Sequence, residues 1–384
     1  MITIDKKTCS GCEMCVNICP KQCISMSEDE YGFRYPIIDT ALCINCNLCE
    51  KYCPVIDYQP IEFKPTIYAA QNKNEEIRLK SSSGGIFSVF AETVLNLDGY
   101  VYGARWNDLK VEHCEICNID ELDSLRGSKY LQSNIGMIYK EVEKRLKDNK
   151  KVLFTGTGCQ IAGLKSYLRK EYDFLYTVEI VCHGIPSNTV FKKYVSEMEE
   201  IQKTKLIDIN FRDKISGWNT YSISTKFESG NIESCIFNQN SFMKGYIQNM
   251  YLRPSCTSCK FKQMKSGSDI LLGDFWGVNE LGSPWNDNKG TSVVFINSSK
   301  GEELFQLSST YINFTDVNLE FATQFNPCIV RPVDNYQNIY DDLSELSLQE
   351  AVNKNTVVVK KPSKIVGLKN RIINKIKRCY SEKQ

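Results

Sequence analysis

Cys9-Ser-Gly-Cys12-Glu-Met-Cys15-Val-Asn-Ile-Cys19-Pro20 and Cys43-Ile-Asn-Cys46-Asn-Leu-Cys49-Glu-Lys-Tyr-Cys53-Pro54 are two copies of one pattern, C-x2-C-x2-C-x3-C-P. The short spacing lets three thiolates of one loop wrap a 4Fe–4S cubane, while a helix carries the fourth cysteine across to the other cluster. Interleaving of this kind assigns Cys9, Cys12, Cys15 and Cys53 to one cluster, and Cys43, Cys46, Cys49 and Cys19 to the other. Zinc or disulfides are the poorer alternatives, because two complete copies leave little room for chance.

Residues 1–57 are expected to form a module resembling bacterial-type ferredoxins, with a strand-like stretch Tyr31-Gly-Phe-Arg-Tyr-Pro36 between the cysteine runs. Pro54–Pro65 carries three prolines and is expected to be a linker. The chain of 384 residues has room for two or three domains. A net charge of +1 offers no basic field for nucleic acid. The 18 cysteines point to metal ligation in a reducing compartment rather than to a disulfide scaffold. With no apolar leader and no run of membrane-spanning length, the expected location is cytoplasmic.

Residues 66–340 alternate strand and helix patterns. Lys151–Thr155 predicts a buried strand, followed by Gly156-Thr-Gly158 and a helix through Ala162, Leu164 and Leu168. Tyr176–Val181 predicts a second strand, ending at Cys182-His183-Gly184, with Pro186-Ser187 opening the next helix. The fold class expected is α+β: a ferredoxin module followed by a mixed α/β domain. Ser81-Ser82-Ser83-Gly84-Gly85 precedes an apolar helical stretch, Ile86–Leu97. Small residues there suit either phosphate binding at a helix N-terminus or a plain serine cap. Gly156-Thr-Gly158 has the same ambiguity, and Ile161 stands where the dinucleotide fingerprint needs its third glycine.

Cys256-Thr-Ser-Cys259 is a redox pair or half of a metal site. Together with Cys159 and Cys182, both at strand ends, it supplies enough thiols for a third 4Fe–4S cluster. Cys23 is expected to be buried filler, and Cys114 and Cys117 to lie on opposite faces of a strand as structural residues. Cys235, Cys328 and Cys379 have no partner motif, and of the two histidines only His183 is a catalytic candidate.

Ser82-Ser83-Gly84-Gly85, Arg126-Gly-Ser-Lys-Tyr130, Thr155-Gly-Thr-Gly-Cys-Gln160, Cys182-His-Gly184, Cys256-x2-Cys259 and Gly273-Asp-Phe-Trp-Gly277 follow one another in an order that resembles the coenzyme F420 hydrogenase/dehydrogenase beta-subunit family. Asn210-Phe-Arg-Asp-Lys and Gly217-Trp, with the fused ferredoxin module, resemble its bacterial branch, which is associated with surface-polysaccharide biosynthesis. Two positions depart from the family pattern: Gly158 stands where proline is common, and Ser268 where alanine is common. The resemblance implies a flavoprotein with FAD beside an iron–sulfur cluster. Its FAD is expected near Ser82, Ser83, Gly84, Gly85, Thr155, Gly156 and Thr157, with Lys129 and His183 as catalytic candidates near the ring or phosphates.

The expected function is an iron–sulfur flavoprotein oxidoreductase. Electrons run from a soluble low-potential carrier such as ferredoxin, through the clusters to FAD, and on to a small-molecule or lipid-linked acceptor. The alternative is a non-catalytic electron-transfer subunit feeding a partner enzyme. Residues 341–384 are expected to be a basic tail. Its Lys360–Arg378 stretch, with Ile365, Leu368, Ile372 and Ile376 on one helical face, suits peripheral contact with an anionic membrane or a solvated terminus.

Overall fold

The structure is a computed structural model that describes residues 5–57, 59, 64–333 and 339–356. The tail stretch Lys360–Arg378 and Cys379 lie outside the described residues.

In the N-terminal segment a hairpin of β1 (Ile24–Glu28) and β2 (Arg34–Ile38) separates two short helices, Met14–Ile18 and Leu48–Lys51. The turn falls at Tyr31-Gly32, so only the second half of the strand-like stretch is extended. The rest of the chain supplies β3 (Thr66–Asn72), β4 (Tyr100–Asn107), β5 (Lys110–Ile116), β6 (Val152–Gly156), β7 (Leu175–Ile180), β8 (Leu206–Asp213), β9 (Ser222–Phe227), β10 (Ile232–Ile236), β11 (Ile270–Asp274), β12 (Ser292–Ile296) and β13 (Ile312–Asp316). Eight of these form one sheet in the order β13-β3-β12-β11-β7-β6-β4-β5. Its centre, β4, β6, β7 and β11, is parallel, and its flanks are antiparallel. Strands β8 to β10 form a separate antiparallel sheet.

The central strands are apolar on both faces, as a sheet covered by helices on both sides requires. On β6, Val152 and Phe154 pack under the helices Ile138–Lys147 and Gly158–Leu168, while Leu153 faces Ile86–Leu95 and Ser299–Ser308. The strand period of two divides these neighbours between two cores. Ferredoxin-like residues Cys12, Met14, Cys15, Ile18, Cys53 and Val55 join the first of them. Gly163 permits that approach, since a Cβ there would meet Tyr139 Oη at 2.9 Å and Cys12 Sγ at 3.3 Å. Polar clamps fix the same contact. Glu13 pairs with Arg34 at 2.9 Å and accepts from the N–H of Gly136 at 2.9 Å, and Tyr139 Oη lies 2.9 Å from Cys12 O.

The helical pattern continues past Leu346. Ser347 caps Leu348–Asn355, whose Leu348, Ala351 and Val352 are buried with Phe242 and Tyr246 beneath the small sheet. Part of the stretch assigned to a tail from sequence is therefore built into the large domain. Its lysines and asparagines hide a three-residue apolar stripe that a short helix needs and a quick reading of composition misses. No described helix is long and apolar enough to cross a membrane.

Candidate functional site

Four cavities adjoin one another. Cys19, Cys43, Cys46 and Cys49 line the outermost, where Cys46 is exposed. Cys9, Cys12, Cys15 and Cys53 line the next. These are the two interleaved sets that the spacing predicts. The thiols of Cys12, Cys15 and Cys53 all sit above their ordinary range, because burial and one another's charge disfavour thiolates. Cys23 is buried as expected, yet its Sγ lies 3.4 Å from Cys19 Sγ at the edge of the outer cavity.

The third cavity, about 70 Å³, brings together Cys159, Cys182, Cys256 and Cys259. The parallel strands place them. Cys159 starts the helix after β6, Cys182 follows β7, and the turn Pro254–Ser258 presents the C-x2-C pair before β11. This is the carboxyl end of a parallel sheet, where loops converge. Burial pushes the Cys256 thiol up to about 11 and that of Cys159 up to about 12, and Cys182 and Cys259 also rise. Such thiols ionise together only if a cation compensates them. Among the described residues no three His, Cys, Asp or Glu side chains converge on a point fit for a single metal ion. The Ile185 N–H donates to Cys256 Sγ at 3.4 Å, and Lys262 Nζ donates to the carbonyls of Cys182 and Cys328. Ser10 Oγ, which borders both this cavity and the Cys9 one, is buried without a hydrogen-bond partner.

Two further residues of this cavity escaped the sequence reading. Glu179 is buried, and burial pushes its carboxyl up to about 7 against the hydroxyls of Ser266 and Ser268. A Cβ on Gly158 would meet Glu179 Oε1 at 2.6 Å, so the departure at Gly158 makes room for that carboxyl. A glutamate inside the apolar run Tyr176–Val181 was the available signal. Cys328, without a motif, is a fifth thiol on the wall. His183 Nδ1 engages it at 3.2 Å, while His183 Nε2 donates to Asn249 Oδ1 at 2.6 Å.

The fourth cavity is the largest, about 650 Å³, and shares Cys182, His183 and Cys328 with the third. Ser82, Ser83, Gly85, Thr155, Gly156, Thr157, Lys129 and His183 all line it. Gly84 does not. It packs against the sheet, where a Cβ would lie 2.4 Å from Ala70 O. The cap of the helix Ile86–Leu95 is Gly85 at φ 79°, with no side-chain cap bond, which displaces the plain serine cap. Arg212 donates to Ser82 O at 3.0 Å, and Lys214 to Ser83 O at 2.8 Å. These bonds fix the loop's carbonyls. Thr157 N–H is already committed to Gln160 Oε1 at 3.0 Å. Lys129 lies in the wall, but its ammonium is turned onto the carbonyls of Ser124, Arg126 and Gly127, and burial lowers it to about 8. The far wall carries Tyr221, Phe237, Trp276 and Arg212. Arg212 pairs with Asp274 at 2.8 Å, and its Nε is buried without a partner. His113, also in the wall, donates from Nε2 to Thr155 O at 2.8 Å and accepts from Ser133 Oγ at 2.8 Å, so it holds the end of β6.

Residues 8–56 match the 4Fe-4S dicluster domain family, and residues 149–320 match the family of C-terminal regions of the coenzyme F420 hydrogenase/dehydrogenase beta subunit. Over residues 149–320 the chain belongs to that beta-subunit family. An uncharacterized protein of Methanocaldococcus jannaschii is 24% identical over 356 residues, covering 82% of this chain and 91% of the relative. The ferredoxin 7Fe of Hydrogenibacillus schlegelii is 41% identical over 58 residues, 14% of this chain and 68% of that ferredoxin. A chain of the F420-reducing NiFe hydrogenase complex from Methanosarcina barkeri superposes with a TM-score of 0.46 at 18% identity, covering 77% of this chain and 90% of that one. The protein is thus an iron–sulfur electron-transfer protein related to the F420 hydrogenase beta subunit, with a mixed α/β domain behind its dicluster segment.

Proposed function

We propose that this protein is an iron–sulfur flavoprotein oxidoreductase that takes electrons from a soluble low-potential carrier and delivers them to an organic acceptor. The carrying observation is the series of adjoining cavities: eight cysteines in two interleaved sets, then four more, then a large cavity sharing its wall with the last four. In this reading Cys159, Cys182, Cys256 and Cys259 hold a third 4Fe–4S cluster, and FAD occupies the large cavity. The donor sets fit: four cysteines suit a cubane, an orphaned Ser10 hydroxyl suits its sulfur, and the unpartnered Arg212 Nε suits an anionic oxygen. When bound, clusters supply single electrons and a flavin supplies electron-pair chemistry.

The chain's own residues do the positioning. Arg212, itself in the cavity wall, and Lys214 hold the carbonyls of Ser82 and Ser83. The Ser82 hydroxyl accepts from Ser128, the Ser83 hydroxyl donates to Thr291 O and the Gly84 N–H donates to Ser292 Oγ, so the loop's shape is fixed by the protein itself. Lys129 contributes charge rather than a free N–H, because three carbonyls take its donors. His183 is held neutral by burial, and Asn249 fixes its proton on Nε2. Apolar residues including Ile185, Leu271, Phe261 and Ile329 exclude water from the four-cysteine cavity. At the outer end, Ile37, Leu42 and Ile44 are exposed beside Cys46, a surface suited to a docking carrier. A surface-polysaccharide role, with a small or lipid-linked acceptor, rests on the segments around Arg212 and Trp218 alone.

Stopped-flow mixing with reduced ferredoxin under anaerobic conditions tests this function. Flavin reduction in the wild type, slowed at least tenfold in Cys46→Ser, is expected. Reduction that keeps its rate in the variant contradicts the route, and turnover only after adding a second protein favours the alternative of a subunit that feeds a partner enzyme.

A further inference from the structure

Arg253 is completely buried, at 0% exposure. Its Nε donates to Cys9 O at 2.8 Å, Nη2 to Arg34 O at 3.0 Å and Nη1 to Gln132 Oε1 at 3.2 Å. The guanidinium lies 4.3 Å from the Tyr35 ring centroid and 5.8 Å from that of Phe33. Every one of these partners is neutral. Among the described residues no carboxylate pairs with it, whereas the two other buried arginines each have one, Arg78 with Asp287 and Arg212 with Asp274. A buried cation without a counter-charge is costly, and proteins keep one only where something anionic answers it.

The position of Arg253 names what answers it. Its backbone N–H donates to Ile185 O at 2.7 Å, and its carbonyl accepts from Cys256 N at 2.9 Å. It therefore opens the turn that presents Cys256 and Cys259 to the third cavity, while its side chain reaches the carbonyl of Cys9 in the second. Ser10, next to Cys9, borders both cavities with its unpartnered hydroxyl. A 4Fe–4S cluster on four thiolates is anionic and gains a further negative charge on reduction, so a nearby cation favours its reduced form.

We propose that Arg253 is a charge bridge between the Cys9/Cys12/Cys15/Cys53 site and the Cys159/Cys182/Cys256/Cys259 site, whose clusters are its counter-ions and whose reduction potentials it raises together. This deepens the proposed function and rests on its third cluster. The outermost site lies beyond the bridge, so its potential is left as it is. Arg253 thus makes the inward direction favourable, and it does so without touching any acceptor.

The experiment is an EPR-monitored potentiometric titration of the anaerobically purified holoprotein, with Cys46→Ser marking the outer cluster's couple. In Arg253→Met two of the three couples are expected to move to lower potential while the outer one stays. Arg253→Lys, which keeps the charge, is expected to recover most of the shift. Should the Met variant not accumulate folded, Gln132→Glu places a carboxylate beside the guanidinium and is expected to lower the same two couples. Three couples that stay in place, or three that move equally, overturn the bridge. So does a Lys variant that behaves like Met, since packing rather than charge would then be responsible. A wild type with only two couples overturns the third-cluster reading, and the bridge with it.

Discussion

The sulfurs of Cys19 and Cys23 share the rim of the outermost cavity. The proline-terminated pattern made Cys19 a ligand and left Cys23 outside the motif, although their sulfurs are only 3.4 Å apart. Cys23 follows Cys19 by four residues and approaches it from the start of β1, so it can touch the outer site without belonging to the loop that wraps it. Cys15→Ser is expected to lose about one cluster's iron, and Cys23→Ala none, by iron analysis of the anaerobically purified variants. Equal loss from both would contradict the assignment. Arg253 and Glu179 were illegible for a common reason. Each is a single polar residue whose meaning lies in partners far away in sequence, such as Cys9 for Arg253 and Ser266 for Glu179. Cys328 has the same character, with its partner His183 on another loop.

At the scale of elements, strand-turn-helix signals located β6, β7 and the helix Gly158–Leu168 to within a residue or two, because their apolar periods are clear. The Ser81–Gly85 loop was ambiguous because a phosphate loop and a serine cap share the same composition. What separates them is three-dimensional: Gly85 takes the left-handed conformation, and Arg212 and Lys214 reach in from the small sheet. Lys214→Met is therefore expected to weaken FAD binding at least tenfold without loss of iron, as read by flavin fluorescence titration. Unchanged affinity would leave those cations a purely structural task. Ser83→Trp, which fills the cavity side of the same loop, is expected to abolish flavin retention. Gly163→Val is expected to destabilise the protein by about 1–3 kcal/mol, the usual cost of overpacking, in urea unfolding. The added methyls meet Tyr139 and Cys12 at the seam between the dicluster segment and the large sheet. A neutral result would mean that the seam yields more easily than its packing implies.

For the whole molecule, the proline-bearing stretch after Pro54 suggested two bodies joined by a linker. The dicluster segment instead shares one apolar core with two helices of the large domain, locked by Glu13, Arg34, Tyr139 and Arg253. Sequence pattern shows Met14, Ile18 and Val55 as apolar but not what they pack against, and the remaining contacts come from cysteines, Gly163 and single polar residues whose partners lie far away in sequence. The consequence is functional. A fixed seam holds the second and third cavities side by side, with Ser10 and Val55 common to both. Of the cysteines lining the three cavities among the described residues, only Cys46 of the outermost is exposed, while Cys9, Cys12, Cys15 and Cys53 are buried. Accordingly, alkylation of exposed thiols after removal of iron is expected to reach Cys46 before Cys12 or Cys15, as mapped by mass spectrometry on a short time course. Simultaneous labelling would mean that the segment leaves the large domain when its clusters are lost.

In the proposed function three clusters lead to one flavin in a single chain. The most direct test is quantification of iron, acid-labile sulfide and flavin per chain after anaerobic purification. The expected result is iron and sulfide for three 4Fe–4S clusters with one FAD, falling to two clusters in Cys256→Ser while FAD stays bound. Iron for only two clusters in the wild type, undiminished in Cys256→Ser and without flavin, would contradict it.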